Sequence, residues 1–374
     1  GQFSVDLAQA MQRLGHQVTL LAGSERRSDG AAATLQEVEP ALAGVPTFRL
    51  LRSSRHLTAL DRFTATFVDP STETLFRRLL ARLNPDVLHL QHTLNLSSRL
   101  VSLGAAGGAA VVATAHDFWP ICQRIDLRRP NGRICSGPRG GLSCATCLPP
   151  PQGSDGGRAG GVWGVARRAL EVGSRLTPYM LRTQLLRGAF ALAHRVTCPS
   201  RSTADLLMGG GLDGERMMVV DYGVPPLPGA VVDQPRPHTP FRFGFLGTLG
   251  SHKGLWVPLR AAELLGDGPW RLEIHGGPVR DPKLREQLDR ASAGGRVEFF
   301  GPYHRKNLFR ILSGLDAVII PSLWPETGPL VCMEAAAAGL PVIGSSIGAI
   351  ADRIDHGRDG LLVPPGDTAA MAGA

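Results

Sequence analysis

Apolar residues recur along this chain with two different spacings, and each spacing predicts a different kind of element. Near the start, the apolar positions are three or four residues apart, as on one face of a helix, from Phe3 to Leu14. Short apolar runs that end in polar residues predict buried strands. We place such strands at 17–22, 85–92, 110–117, 217–221 and 316–322, with a further helix at 202–208. Strands that alternate with helices favour an α/β fold with parallel sheets.

The chain is long enough for two domains, and its composition marks a boundary between them. It has 374 residues, of which 43% are hydrophobic, so two ordinary cores can be buried. Residues 225–240 contain too many prolines for a core element and are typical of a linker. We therefore predict an N-terminal domain over 1–224 and a C-terminal domain over 241–374.

The clearest local pattern is a strand, a short loop and a helix between Asp316 and Pro341. Pro329 suits the first position of the helix, Thr327 or Gly328 can cap it, and Gly339 ends it. In an open parallel sheet, a loop of this kind lies at the carboxyl ends of the strands, where ligands bind.

Two carboxylates, Glu326 and Glu334, lie eight positions apart on either side of this helix start. The free amides and the positive dipole end of a helix favour an anion such as a diphosphate. Carboxylates repel phosphate, so they are better suited to accept hydrogen bonds from vicinal hydroxyls on either side of it. A nucleotide sugar has this arrangement of sugar, diphosphate and ribose.

The C-terminal half resembles a known family over several segments that occur in the family's order. They are Phe243–Gly254, Leu272–Gly277, Val297–Gly301, the Glu-x7-Glu motif at 326–334, Ser346–Asp352 and Asp359–Pro364. The resemblance is to glycosyltransferase family 4, the retaining glycosyltransferases also called glycosyl transferases group 1. It implies the GT-B fold, in which two Rossmann-like, doubly wound domains face each other across a cleft.

The resemblance also implies roles for individual residues. Lys253 would bind the diphosphate, Glu326 the sugar hydroxyls and Glu334 the ribose, while His116 would contact the sugar from the N-terminal domain. Of these, His116, Glu326 and Lys253 are the candidate catalytic residues. The other expected donor-binding residues are Gly1, Gly247, Thr248, Gly276, Gly277, Gly328, Pro329, Leu330 and Gly348.

The implied reaction is transfer of a hexose from a nucleotide-diphosphate sugar, with retention, to a glycan, lipid-linked or small-molecule acceptor. This activity is typical of cell-envelope or exopolysaccharide biosynthesis. The chain contains no Asp-x-Asp pair, so we expect catalysis without a metal cofactor, and Lys253 with the helix amides would stabilise the leaving diphosphate.

Departures from the family pattern leave a second function open. Thr248 stands where many relatives have an arginine. The family pattern also has a strand and a glycine-rich loop before Gly1 and further helices after Ala374, so we expect a fragment. A GT-B protein that binds nucleotide sugar or partners without turnover is the alternative.

A Rossmann oxidoreductase is disfavoured because no G-x-G-x-x-G motif opens a helix.

Four cysteines lie within 26 residues of an insert that we place at 118–150. They are Cys122, Cys135, Cys144 and Cys147, in the spacing C-x12-C-x8-C-x2-C. Such a set can hold a structural zinc ion or an iron-sulfur cluster through four thiolates. Unligated thiols remain an alternative, and disulfides are the weaker one, since they require an oxidising compartment.

The chain has a formal charge of +8, and part of the excess lies in residues 158–195. Seven arginines alternate there with apolar residues: Arg158, Arg167, Arg168, Arg175, Arg182, Arg187 and Arg195. This stretch can contact an anionic lipid surface or a phosphorylated acceptor, or it can be a solvated helix face. We expect no nucleic-acid partner, because no recognised nucleic-acid-binding motif accompanies the charge.

No apolar run is long enough to span a bilayer, so we expect a cytoplasmic protein, with any membrane contact peripheral on the inner face.

Overall fold

The structure, a computed structural model, describes residues 2–27, 33–52, 59–148, 162–224 and 237–374. Contacts divide the chain into two compact units. The first contains Gly1–Cys198 and Ala204–Val219, and the second contains Pro199–Thr203 and Val220–Ala374. The short segment Pro199–Thr203 therefore belongs to the second unit, although the sequence around it belongs to the first. Of the predicted linker over 225–240, residues 225–236 lie outside the described residues.

The first unit alternates helices and strands. Its elements are α1 (Gln2–Arg13), β1 (Leu20–Arg27), β2 (Thr34–Glu37), β3 (Thr47–Arg52), α2 (Ala59–Thr64), α3 (Pro70–Leu83), β4 (Val87–Leu90), α4 (Leu100–Ala106), β5 (Ala110–Thr114), α5 (Leu142–Cys147), α6 (Val162–Ala191), β6 (Arg195–Cys198), α7 (Arg201–Gly209) and β7 (Met217–Val219). The start of α7, up to Thr203, belongs to the second unit. The predicted helix over 3–14 is confirmed as α1, and the predicted strands and helix at 85–92, 110–117, 202–208 and 217–221 are confirmed as β4, β5, α7 and β7. The strand predicted over 17–22 begins three residues later, at Leu20.

The described strands of the first unit form two sheets. One has the order β1-β3-β2, and the other has the order β4-β5-β6-β7 with every pair parallel. In the parallel sheet the carboxyl ends of β4 and β5 lie side by side, with Leu90 opposite Ala113. The polar residues that follow these two strands are therefore neighbours in space.

The second unit is built on one six-stranded sheet. Its elements are β8 (Phe241–Gly247), α8 (Trp256–Leu265), β9 (Trp270–Gly276), α9 (Pro282–Ser292), β10 (Val297–Gly301), α10 (Leu308–Leu312), β11 (Ala317–Ile320), α11 (Leu330–Ala337), β12 (Val342–Ser345), α12 (Gly348–Arg353), β13 (Gly360–Val363) and α13 (Thr368–Gly373). The strand order is β10-β9-β8-β11-β12-β13, and all pairs are parallel.

Apolar side chains are buried on both faces of this sheet. Phe245 and Ile319 belong to the core on one face, while the neighbouring Leu246 and Val318 belong to the core on the other. Such strands are apolar at consecutive positions because helices cover both sides of the sheet. The strand order reverses between β8 and β11, and ligands bind at such a switch point in open α/β sheets.

Candidate donor site at the switch point of the second unit

The loops that follow β8 and β11 meet at the switch point. Lys253 ends a short 3-10 turn after β8, and the backbone N–H of Leu323, after β11, donates to the carbonyl of His252 at 2.8 Å. This bond fixes the two loops against each other. It brings Lys253 to Glu326, which is 73 residues away in the sequence.

The carboxylate of Glu326 lies at the centre of a hydrogen-bonded group. Its Oε1 accepts from Lys253 Nζ at 2.7 Å, from Ser322 Oγ at 2.6 Å and from Trp324 Nε1 at 2.7 Å. Glu326 is only 5% exposed, so the ammonium group of Lys253 compensates a buried negative charge. The side chain of Lys253 is itself a quarter exposed. Sequence reasoning missed Ser322 and Trp324.

Helix α11 begins one residue later than the sequence predicts. Pro329 is the residue before the helix, with ψ at 108°, and Leu330 is the first helical residue. Pro329 has the φ of a helix start but an extended ψ, so the prediction that it is the first helical residue is wrong. The side chain of Pro329, the residue before the helix, makes no capping hydrogen bond, so we expect the first amides of the helix to be available to an anion.

Glu334 lies in the second turn of α11 and is buried. Burial raises the pKa of its carboxyl group, and its Oε1 lies 3.7 Å from Nη2 of Arg305. Tyr303 is nearby, and burial raises the pKa of its phenol, with the charge of Glu334 as a second cause. Sequence reasoning missed Tyr303 and Arg305. The available signal was their position directly after the end of strand β10, at the same edge of the sheet as Glu334.

Glycines allow two strand ends to approach closely. Gly247 and Gly276 end β8 and β9 and are register partners, and a Cβ atom on Gly276 would lie 1.8 Å from the carbonyl oxygen of Gly247. Only glycine fits at position 276. Thr248 and Gly277 continue from these two ends, so four of the predicted donor-binding residues are neighbours here.

A second close approach joins the start of α12 to Glu326. Gly348 has a φ of +56°, and a Cβ atom there would lie 2.7 Å from the backbone N and O of Glu326. The next amide, of Ala349, donates to the carbonyl of Glu326 at 2.7 Å. Gly328, two residues beyond Glu326, packs against Tyr222 and Pro199. The structure thus brings Lys253, Glu326 and Gly348 together in one group and Gly247, Thr248, Gly276 and Gly277 in another, whereas Gly1 lies outside the described residues.

His116 lies in the first unit, two residues beyond the end of β5. Its Nε2 is 2.7 Å from Oε1 of Gln91, which follows β4, and its ring makes an edge contact with Phe3 of α1. Burial lowers the pKa of His116 to about 4, with a smaller contribution from neighbouring His92. The imidazole is therefore neutral at neutral pH, with one ring nitrogen able to donate a hydrogen bond and the other able to accept one.

The lowered pKa of His116 predicts a loss of stability in acid. Between pH 6.5 and about 4 the unfolded chain binds a proton that the folded protein does not, so the free energy of unfolding falls as the pH falls. We expect a loss of about 3 kcal/mol across this window. His116→Gln should reduce the slope of the thermal midpoint against pH, whereas the exposed His16→Gln should leave it unchanged. Equal slopes for His116→Gln and the unsubstituted protein would contradict this prediction.

The four cysteines of the insert all line one cavity of the first unit, and none of them forms a disulfide. In the described part of the chain, no three His, Cys, Asp or Glu side chains are arranged so that they could hold a metal ion. The insert also contains buried apolar side chains that the sequence analysis did not predict, among them Phe118, Trp119 and Leu127.

The predicted basic stretch is only partly described. Position 158 and the side chains of residues 162–175 lie outside the described residues. Arg187 and Arg195 are exposed, but Arg182 is only 1% exposed. The prediction that Arg182 belongs to a lipid-facing or solvated surface is therefore wrong, because α6 turns this side chain onto the cysteine-containing insert. Among the described helices, none has the length and apolar content needed to cross a membrane.

The fold and this site define a class of α/β protein. At the switch point of its parallel sheet, the second unit has a lysine, two buried carboxylates and a helix start without a side-chain cap. Two family models match the chain, Glycosyltransferase Family 4 over residues 1–226 and Glycosyl transferases group 1 over residues 240–374. The chain belongs to glycosyltransferase family 4, as the sequence resemblance predicted.

Some known proteins are similar to the chain in sequence, and some solved structures are similar to it in fold. A D-inositol 3-phosphate glycosyltransferase of Corynebacterium urealyticum is 36% identical over 140 residues, which are 35% of this chain and 33% of that protein. The match thus spans about a third of that relative. A sucrose-phosphate synthase structure from Thermosynechococcus elongatus has a TM-score of 0.66 at 18% identity, covering 100% of this chain and 83% of that one. The structure of Anabaena HepE in complex with UDP has a TM-score of 0.54 at 16% identity, and the match covers 88% of this chain and 74% of that one. The similarity to these structures confirms the predicted GT-B fold.

Proposed function

We propose that this protein transfers a sugar from a nucleotide-diphosphate sugar to a hydroxyl group of an acceptor, with retention of the anomeric configuration. The observation that carries the proposal is the contact of Lys253 with Glu326 at the switch point, next to the uncapped start of α11. A cation and free amides at one place suit a diphosphate. The buried carboxylates Glu326 and Glu334 suit the hydroxyls on either side of it.

Each residue then has a separate role. Lys253 and the first amides of α11 hold the diphosphate and stabilise its charge as it leaves, which makes a metal cofactor unnecessary for this step. Glu334 accepts hydrogen bonds from the ribose diol, and this compensates for the burial of its carboxylate. Glu326 orients the sugar hydroxyls, and neutral His116 contributes a hydrogen bond to the sugar from the first unit.

A GT-B protein that binds nucleotide sugar without turnover is the second candidate. It is favoured by one observation, the saturation of Glu326 Oε1 by three donors of the chain itself. This candidate predicts binding of the nucleotide and no transfer to any acceptor. Release of nucleotide diphosphate from UDP-, GDP- and ADP-sugars in the presence of mixed glycan, lipid-linked and small-molecule acceptors separates the two functions.

Calorimetric titration with UDP, GDP and ADP tests the site itself. UDP is the first choice, because the HepE structure contains it. We expect Glu334→Gln to weaken binding of the preferred nucleotide about 10-fold to 100-fold, because a hydrogen bond to a charged group contributes about 1.5 to 3 kcal/mol. The change keeps the size of the side chain and removes its charge.

The matched control is Glu286→Gln on α9, an exposed glutamate that pairs with Arg290 and lies away from the site. It should leave nucleotide affinity unchanged. Equal loss in both variants, or no nucleotide binding by the folded protein, would contradict the assignment of this site.

A further inference from the structure

Four cysteines from three segments of the first unit face one cavity, and the donor site gives them no role. Cys122 follows β5, Cys135 follows the bridge between Arg128 and Ile134, and Cys144 and Cys147 lie one turn apart on α5. We propose that Cys122, Cys135, Cys144 and Cys147 bind one Zn²⁺ ion as a tetrahedral set of thiolates. Four sulfur ligands leave no open position, so the site is structural.

Cys122 is a buried thiol with two backbone amides close to its sulfur. Burial raises the pKa of this thiol, and hydrogen bonds from the backbone N–H groups of Arg124 and Leu127 partly oppose the rise. Hydrogen bonds of this kind orient the ligand and tune its basicity in metal sites. The spacing of Cys144 and Cys147 places both side chains on the same face of α5.

Arg182 supplies a further argument, because its charge is buried within electrostatic range of two of the sulfurs. Its guanidinium lies over the ring of Trp119 at 4.3 Å and donates through Nη2 to the carbonyl of Trp119. Its Nε has no hydrogen-bond partner in the described structure. None of the ion pairs found among the described side chains includes Arg182. Burial lowers the pKa of Arg182 to about 10, and the groups that oppose this shift are, in decreasing order, Cys144, Cys122, Tyr179 and Asp117.

A buried cation without a carboxylate partner is costly unless another negative charge compensates it. Four neutral thiols do not provide that charge. Four thiolates around one Zn²⁺ carry a net charge of −2, and this dianion in turn needs cations around it. Arg182 then becomes a counter-ion of the metal site, which explains why an arginine is buried at this position.

Two further arginines face the same sulfurs. Arg129 Nη2 lies 3.9 Å from the sulfur of Cys135. Burial raises the pKa of Cys147, and the positive charges of Arg124 and Arg129 oppose that rise. One acid, Asp126, opposes them, and Arg124 Nε lies 3.8 Å from it. The charge around the sulfurs is therefore positive on balance, as a zinc-tetrathiolate dianion requires.

Binding requires the side chains to converge. The sulfur of Cys135 donates to the carbonyl of Gly137 at 3.4 Å, and it must rotate away from that oxygen to become a ligand. Each thiol gives its proton to solvent as its sulfur binds the ion, so metal binding also depends on pH. The insert then becomes a cross-linked loop that begins just beyond His116.

Metal content of the whole purified chain tests the proposal. After expression in zinc-supplemented medium and removal of loosely bound metal, we expect about one zinc per chain. Cys144→Ser should remove nearly all of it. Cys198→Ala, at a buried cysteine of β6 that does not line this cavity, is the matched control and should retain the zinc.

Cobalt substitution gives a second readout that does not depend on the folding of any variant. Co²⁺ added to the metal-free wild-type chain should show the sulfur-to-cobalt charge-transfer band and visible bands of a tetrahedral tetrathiolate site. A zinc-free folded chain that does not take up added Zn²⁺ or Co²⁺ would overturn the proposal. So would disulfides among the four cysteines, zinc retained by Cys144→Ser, or iron with acid-labile sulfide in place of zinc.

Discussion

Lys253→Ala is expected to lower kcat for sugar transfer by about 10² to 10³, which corresponds to about 3 to 4 kcal/mol of lost transition-state stabilisation. The reason is that, in the proposed reaction, negative charge develops on the leaving diphosphate, and Lys253 is a side-chain cation at the switch point beside Glu326. Initial-rate kinetics with the preferred nucleotide sugar measure the loss. The effect should fall mainly on kcat, because the interaction strengthens as the bond to the sugar breaks.

Two comparison variants separate this role from a structural one. Lys253 also compensates the buried carboxylate of Glu326, so its removal can disturb the loop. Ser322→Ala removes a neutral donor to the same oxygen and should cost much less activity. Lys283→Ala, at an exposed position of α9, should cost none. If Ser322→Ala reduced kcat as strongly as Lys253→Ala, the lysine would act by positioning Glu326 rather than on the diphosphate.

Gly276→Ala is expected to reduce the free energy of unfolding of the second unit by about 3 kcal/mol or more. The added Cβ would lie 1.8 Å from the carbonyl oxygen of Gly247, so one of two neighbouring strand ends must move. Both ends are backbone in the middle of a six-stranded sheet and have little freedom to shift. Thermal and denaturant unfolding followed by circular dichroism measure the change.

Gly294→Ala is the matched control, because the structure leaves open space around the Cβ position of Gly294. Its effect should lie within about 0.5 kcal/mol, as for most surface substitutions. If Gly276→Ala were as stable as Gly294→Ala, then β8 and β9 would not approach as closely as described.

The period of the apolar residues was enough to predict the fold class, and the ordered segments of the second unit were enough to predict the family. Buried parallel strands such as β11 are apolar at every position, and this signal is local. The direct bond between Lys253 and Glu326 could not be predicted in the same way. It depends on β8 and β11 being neighbours, and strand order follows from packing of the whole sheet rather than from either segment.

The residues that sequence reasoning missed or misplaced have the same explanation. Arg305 looks like an ordinary surface arginine, and only the position of β10 beside β9 brings its loop to the edge where Glu334 lies. Arg182 belongs to a series of arginines in the sequence, and Arg187 on the same helix is exposed. Its burial depends on an insert more than 30 residues earlier in the chain, which the periodicity of α6 does not report.

The segment Pro199–Thr203 has a consequence for recombining this protein with other family members. Ser202 Oγ donates to Asp352 at 2.5 Å, Thr203 Oγ1 donates to the carbonyl of Thr327 at 3.3 Å, and Arg353 Nη2 donates to the carbonyl of Pro199 at 2.6 Å. These bonds dock a five-residue piece beside the loop that carries Glu326. The sequence order of the chain is thus not the order of its modules. A chimera joined at the proline-rich boundary would combine a donor half with another protein's version of this piece, so the crossover should be accompanied by a transplant of 199–203.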